Sequence, residues 1–310
     1  MPTIDGHPIT VSHPEKIVFP DDGITKGELV GYYERIADRM LPHIRQRPLH
    51  MNRFPDGIGR FAIQQKRIPE SFPAWIHRTT VDLHKGGTIT HAVIDDAATL
   101  VYLANYNMVT AHVWLSRVAS PAQPDQVMFD LDPADEDFSL TRRTALGLKR
   151  LLEELGLVPF VKTTGSRGLH VVAPIVIGPS FEQAHLFADA VSQRLAATDP
   201  SHLTTEFLKQ KREGRLFLDV NRNAYAQTAV AAYSVRAKRG APIAVPIVWS
   251  EVERESLRPD GLTVRNIWDW LSGREDPWAL MDQSARPLPP IPQADRPDRS
   301  GRRKGAPRAR

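Results

Sequence analysis

Val127-Met128-Phe129-Asp130-Leu131-Asp132-Pro133 sets two carboxylates at the end of an apolar run. As a strand it alternates faces, so Val127, Phe129 and Leu131 share one side and Met128, Asp130 and Asp132 the other. Two residues of rise separate the acids by roughly 6.6 Å at the backbone. From there their oxygens can converge on a pair of divalent cations about 3.5–4 Å apart, the spacing of two-metal phosphoryl-transfer sites. Pro133 cannot donate to a ladder and restricts Asp132, so the strand should stop with Asp132 at its rim. Burying two like charges together is costly unless a cation lies between them. On its own the pair is either a chance Asp-x-Asp or a site for some divalent metal.

Other groups bear on that choice. Asp135-Glu136-Asp137 is a second acidic run, but it stands in a polar loop ahead of a helix. Acids there commonly cap the helix and complement its dipole. Asp219, in Leu216-Phe217-Leu218-Asp219-Val220, repeats the placement of Asp130, a carboxylate on an apolar strand. The loop Thr163-Thr164-Gly165-Ser166-Arg167-Gly168 joins strand 157–162 to strand Leu169–Ala173 and is rich in N–H and hydroxyl donors, a candidate phosphate cradle. Glycine hairpins are common, so Ser166, Arg167 and His170 carry that reading, since all three can donate to phosphate oxygens. No helix follows the loop, which excludes a Walker A loop and a dinucleotide fingerprint.

Lys16 and Lys26 flank the start of a helix opened by the capping box Thr25/Glu28. Lysines are usually solvated, yet Lys26 beside free helix N–H groups suits a phosphate. Arg53 lies in an extended run before Phe54-Pro55. His112 falls within Val109–Trp114, where a strand histidine is more often a hydrogen-bonded structural residue than a functional one. A basic stretch from Lys209 to Arg215, including Arg212, leads into the Asp219 strand, and Arg236, Lys238 and Arg239 follow a strand at Gln227–Tyr233.

The elements that must position these groups read as an α/β (α+β) domain. A helix from Thr25 buries Leu29, Tyr32, Tyr33 and Ile36. A β-rich region follows: Leu49–Phe54, Arg60–Gln65, Thr88–Ile94, Leu100–Ala104 and Val109–Leu115, of which 100–104 could instead be helical. Further helices run over Ser139–Leu155, from Ser180/Gln183 to about Ala197, and through Ile267, Trp268, Trp270 and Leu271. We expect a central mixed or antiparallel sheet flanked by helices in one domain over 1–284. Within it a portion of about 1–120 packs against a catalytic core of about 121–284.

With 310 residues, 41% of them hydrophobic and 25% charged, the composition is that of an ordinary globular protein. No apolar run approaches the roughly 18–20 residues of a membrane span, and no signal-type segment opens the chain. The absence of cysteine excludes disulfides, a thiol nucleophile and a thiolate zinc site, and makes a cytoplasmic location the expectation. Residues 285–310 carry six prolines and eight Arg/Lys against two Asp. They read as a disordered basic tail. Their net +6, out of +4 for the chain, leaves residues 1–284 at −2. A nucleic-acid surface on the body must therefore be a local patch.

Taken in order, Val127-Met-Phe-Asp-Leu-Asp-Pro, Thr-Gly-Ser-Arg-Gly-Leu-His170, Leu-Phe-Leu-Asp219 and Ala-Tyr-Ser-Val-Arg236 resemble the polymerase domain of bacterial ligase D, a branch of the archaeo-eukaryotic primase superfamily. Glu15-Lys16-Ile-Val-Phe-Pro and Thr25-Lys26 extend the likeness over about residues 8–275, and with no ligase or nuclease region it looks like a stand-alone version. The resemblance implies that Asp130, Asp132 and Asp219 hold two Mn²⁺ or Mg²⁺ ions. It implies that Ser166, Arg167, His170 and Arg236 bind the triphosphate of an incoming NTP or dNTP, and that Arg53 and His112 complete the nucleotide pocket. Lys16 and Lys26 would take the 5′-phosphate across a gap or break, and Arg212 would position template or metal ligands. Asn52, the pair Ile63-Gln64 and Arg167 depart from the lysine, aromatic pair and lysine that members often carry.

The function so implied is template-directed extension of a primer 3′-hydroxyl, with ribonucleotides preferred, at short gaps or break ends in end joining or gap-filling repair. DNA ends, a Ku-type protein and a separate DNA ligase are the implied partners, without a membrane, in a nucleoid-associated location. Two rivals remain on the residues alone. A two-metal nuclease needs the acids but no triphosphate cradle; a non-enzymatic DNA-end bridging module needs Lys16 and Lys26 but not the acids.

Overall fold

The structure, a computed structural model, describes residues 3–83, 86–135 and 137–291. Two sheets dominate it. The strands of the first are β1 (Leu49–Arg53), β2 (Ile63–Gln65) and β3 (Met108–Trp114). Those of the second are β4 (Gln126–Asp132), β5 (Phe160–Thr163), β6 (Leu169–Pro174), β7 (Leu203–Thr204) and β8 (Leu216–Asp219). β9 (Thr228–Val230) then returns to the first sheet, and β10 (Pro246–Ile247) completes the second. The orders are β9-β3-β1-β2 and β7-β8-β4-β6-β5-β10. Every pairing is antiparallel except β7 with β8. The expected mixed, mainly antiparallel sheet is therefore present. The boundary near residue 120 does not divide the sheets, because β9 pairs with β3 from the far side of it.

Alternation on β4 sorts the core. Val127, Phe129 and Leu131 join Val161, Leu169, Val171 and Leu218 in one buried cluster. Helices α3 (Phe138–Glu154) and α4 (Phe181–Thr198) cover that face with Leu148, Leu152, Phe187 and Val191. Met128 and Val172, on the opposite face, belong to a second cluster with helices α1 (Lys26–Ile44) and α2 (Ala97–Asn105) and the first sheet. Asp130 and Asp132 share a face with Met128, so they open toward the space between the two sheets.

Local signals explain the helix starts. Both capping boxes form: Thr25 accepts from the Glu28 N–H while Glu28 accepts from the Thr25 N–H, and Ser180 and Gln183 do the same. Each such cap contributes about 1 kcal/mol. Asp137 caps α3 by accepting from the Ser139 N–H, the helix-start role expected of it. Residues 100–104 are helical; Asp96 caps the segment through the Thr99 N–H, and its apolar side packs on α1. Arg60–Gln65 keeps only Ile63–Gln65 as strand, and a two-strand unit, Arg78–Asp82 with Thr88–Ala92, was not anticipated at its first strand.

The start of the expected tail is corrected. Arg286 bridges Ile175, its N–H donating to the Pro174 carbonyl, and Leu288 packs on the α3/α4 cluster. Those contacts tie 285–291 to the body; residues 292–310 lie outside the described residues. No helix among the described residues is long and apolar enough to cross a membrane.

Candidate active site

Four adjacent strands bring four ionisable residues into one line. Asp219 on β8 pairs with Asp130 on β4, Asp130 with His170 on β6, and His170 with Lys162 on β5. In-register neighbours point to the same face, so the row Asp219–Asp130–His170–Lys162 crosses the sheet on the side of the cleft. Asn223, fully buried, fixes the β8–β4 side of this row. Its amide accepts from the Met128 N–H and donates to the Met128 and Val220 carbonyls.

The hairpin between β5 and β6 closes one wall. Gly168 is required there by close approach: a Cβ on it would lie 1.9 Å from the Leu131 carbonyl oxygen. Gly165 has φ +60°, and a Cβ would stand 2.8 Å from both Arg236 Cγ and the Ile243 backbone. Thr164 closes the loop on Gly168, and Arg236 donates to the Thr164 carbonyl at 2.7 Å. Lys238 donates to Ser166 Oγ.

The cavity so formed is lined by Asp130 and Asp132 from β4, by Thr164, Ser166, Arg167 and His170 from the hairpin, and by His112 from β3. Leu131, Gly168, Arg222, Thr228, Val230 and Arg236 complete it. Seven of the residues named from the sequence thus face one space: Asp130, Asp132, Ser166, Arg167, His170, His112 and Arg236. Asp219 adjoins it through its pairing with Asp130.

The others sit elsewhere. Arg212 reaches the site through Asp132, 3.3 Å away, while it stacks on Phe217 and donates to the Glu206 and Phe207 carbonyls. Arg53 does not line this cavity. The register shifts between Asn52 and Arg53, and the guanidinium stacks on Tyr106 at 3.6 Å and donates to Gln65. Lys16 and Lys26 come together at a separate place, the Lys26 N–H donating to the Lys16 carbonyl. Lys26 is buried with Nζ on Ser12 Oγ at 2.7 Å, and burial followed by the nearby Lys16 charge lowers its pKa.

Electrostatics distinguish the members of the row. Burial would raise the Asp130 pKa, but His170, Arg222 and Lys162 together hold it down to about 2. His170 is itself lowered to about 4 by burial and Lys162, against the pull of Asp130. At neutral pH it is therefore uncharged, with Nε2 3.4 Å from Asp130. Burial, then the charge of Arg236, keeps His112 well below the usual histidine range, a neutral imidazole. Burial with Arg236 beside it brings Lys162 to about 7.

Three carboxylates on one sheet face are the hard oxygen donors that Mg²⁺ or Mn²⁺ take. Among the described residues no three His, Asp or Glu side chains converge as a closed metal site. The oxygens are turned to protein donors instead: Arg167 and Arg212 hold Asp132, His170 and Arg222 flank Asp130, and Asn221 holds Asp219. The donor set fits a divalent cation once those arginines yield. Thr164, Arg222 and Lys162 were not singled out from the sequence. A glycine-flanked threonine and an Asn-Arg-Asn turn two residues after Asp219 were the available signals for the first two.

The family model described as LigD, primase-polymerase domain, matches residues 25–278. The chain belongs to the LigD primase-polymerase domain family. It is 33% identical over 259 residues to the multifunctional non-homologous end joining DNA repair protein LigD of Mycobacterium tuberculosis, covering 81% of this chain and 34% of that protein. With the Pseudomonas aeruginosa LigD it shares 34% identity over 282 residues, 87% of this chain and 32% of that one. The chain thus spans about a third of the length of these relatives. Its structure is similar to the polymerase domain of M. tuberculosis ligase D solved in complex with DNA, with a TM-score of 0.84 and 31% identity over 90% of this chain and 99% of that one.

Proposed function

We propose that this chain is a template-directed nucleotidyltransferase that extends a primer 3′-hydroxyl at short gaps or broken DNA ends. The observation that carries the reading is the in-register row Asp219–Asp130–His170 standing against the Ser166/Arg167 hairpin. Acids for metal and donors for phosphate lie on two sides of one cavity, which a nuclease would not need.

In this reading the 3′-oxygen attacks the α-phosphorus of the nucleotide and pyrophosphate leaves. Ser166, Arg167 and Arg236 seat the polyphosphate; fixed donors aimed where charge develops are the chief means of lowering such a barrier. His170, with Nε2 3.4 Å from Asp130, helps keep that carboxylate ionised. His112, neutral, is suited to a hydrogen bond with an uncharged sugar hydroxyl. Two Mg²⁺ or Mn²⁺ ions, held by Asp130, Asp132 and Asp219, would lower the pKa of the 3′-hydroxyl and neutralise polyphosphate charge when bound.

Arg212 links that carboxylate set to the 206–215 segment, a route by which template contact could release Asp132. The Lys16/Lys26 pair is proposed as the pocket for a 5′-phosphate across the gap. Preference for ribonucleotides, a role in end joining, and Ku and a separate ligase as partners belong to the same proposal.

The test incubates labelled, gapped primer–template with Mn²⁺ and NTPs. Nucleotide-dependent lengthening supports the reading. Shortening without nucleotide would favour a nuclease, and binding without either an end-bridging module.

A further inference from the structure

We propose that Lys162 is a positioning residue of this pocket, holding a positive charge behind His170 against which the nucleotide polyphosphate is seated. The inference rests on the polymerase reading for the identity of the ligand, not for the site.

Lys162 ends the row Asp219–Asp130–His170–Lys162 and points to the cleft side of the sheet. It is 1% exposed, and its Nζ has no hydrogen-bond partner. Among the described residues no carboxylate lies within ion-pair distance of it; Asp130 acts on it only at longer range. A lone ammonium in a strand interior is unfavourable, and an unbranched apolar chain of similar length would fill the space without that cost. His170 Nδ1, on the neighbouring strand, is also buried without a partner. With His170 neutral, that nitrogen is an acceptor; it is the unpaired ammonium of Lys162, behind a cavity walled by Arg167, Arg222 and Arg236, that describes a floor arranged for an anion.

The cavity residues seat the polyphosphate by contact, while Lys162 acts through a low-dielectric layer that salt does not screen. Burial and Arg236 leave its pKa at about 7, so an anion above it is what favours the charged form near neutrality. A structural lysine would add stability at this position. A lysine serving the ligand costs stability and adds affinity.

The experiment compares wild type with Lys162→Met and Lys162→Arg. Binding of inorganic tripolyphosphate and of ATP is measured by calorimetry with Mn²⁺, alongside melting temperature, kcat and KM for gap filling. Lys162→Met should bind both ligands on the order of tenfold more weakly. It should raise KM with little change in kcat, and melt no lower than wild type. Lys162→Arg should keep most of the affinity. Unchanged tripolyphosphate affinity in the Met variant overturns the proposal, as does a loss of affinity that follows a fall in melting temperature and is not recovered by Arg. If wild type fails to extend primers, the polymerase reading falls, while the tripolyphosphate comparison still decides the role of Lys162.

Discussion

Asp130 and Asp219 stand directly opposite one another on the antiparallel strands β4 and β8. Residues so paired have Cβ atoms about 4.5–5.5 Å apart, and like charges there repel. His170 and Arg222 offset this at Asp130, and the Asn221 N–H and amide at Asp219. The remaining repulsion is what a divalent cation would relieve, and it gives the sheet a reason to bind one.

Mn²⁺ should therefore raise the melting temperature of wild type. At a concentration about a hundred times Kd the linkage amounts to about 2.7 kcal/mol, a shift of a few degrees for a chain of this size. Asp219→Asn keeps an acceptor for the Asn221 N–H and removes the repulsion. It should melt at or above wild type without metal and respond little to Mn²⁺. A full metal shift in this variant would remove Asp219 from the ligand set.

Asn223 ties the turn after β8 to Met128, two residues ahead of Asp130. Asn223→Ala leaves a buried N–H and carbonyl without partners, a loss of about 2–4 kcal/mol. Urea unfolding should show that loss, and gap filling should fall with it. Activity unchanged at a fully folded temperature would mean that strand position at Asp130 is set by other contacts.

Lys162 gives a pH signature of known sign. Its folded pKa, about 7, lies below the ordinary lysine value of 10.5. Between the two the unfolded chain carries a proton that the native state lacks, so this group's contribution to stability rises with pH. Below pH 7 both states are charged and the full cost is present. Lys162→Met should exceed wild type in stability most at pH 6.5, and the gap should close by about pH 10 in urea titrations. A gap independent of pH would place the lysine charge in solvent.

Lys26 is buried beside Lys16, away from the acidic row. Lys26→Ala should abolish any preference for a 5′-phosphorylated gap while leaving extension on an open primer–template near wild type. The comparison is gap filling with and without the phosphate. Equal wild-type activity on both substrates would end the proposed role.

Much of this was legible because the informative residues break a local pattern. Asp130, Asp132 and Asp219 are acids in apolar strands, and the Thr25/Glu28 and Ser180/Gln183 boxes are short-range signals that the fold leaves intact. Lys162 was hidden. In Phe160-Val161-Lys162-Thr163 it reads as the solvent-facing member of an alternating strand, and only pairing with β6 and β10 buries it. Arg53 stands outside the cavity beside a register shift that no local pattern announces. The helix over 97–105 has so apolar a sequence that period alone did not separate it from a strand, and tertiary packing on α1 decides it. Arg286 docks on Ile175, a pairing across more than a hundred residues that composition could not supply.

The central claim is that the carboxylate row performs nucleotidyl transfer, and Asp130→Ala tests it most directly. The measurement is single-nucleotide extension of a labelled primer on a gapped template with Mn²⁺, on protein whose melting curve shows it folded. The row predicts that extension falls by roughly three orders of magnitude or more, the loss of several kcal/mol of transition-state stabilisation, while tripolyphosphate binding without metal persists. Extension by folded Asp130→Ala at a rate near wild type would contradict it.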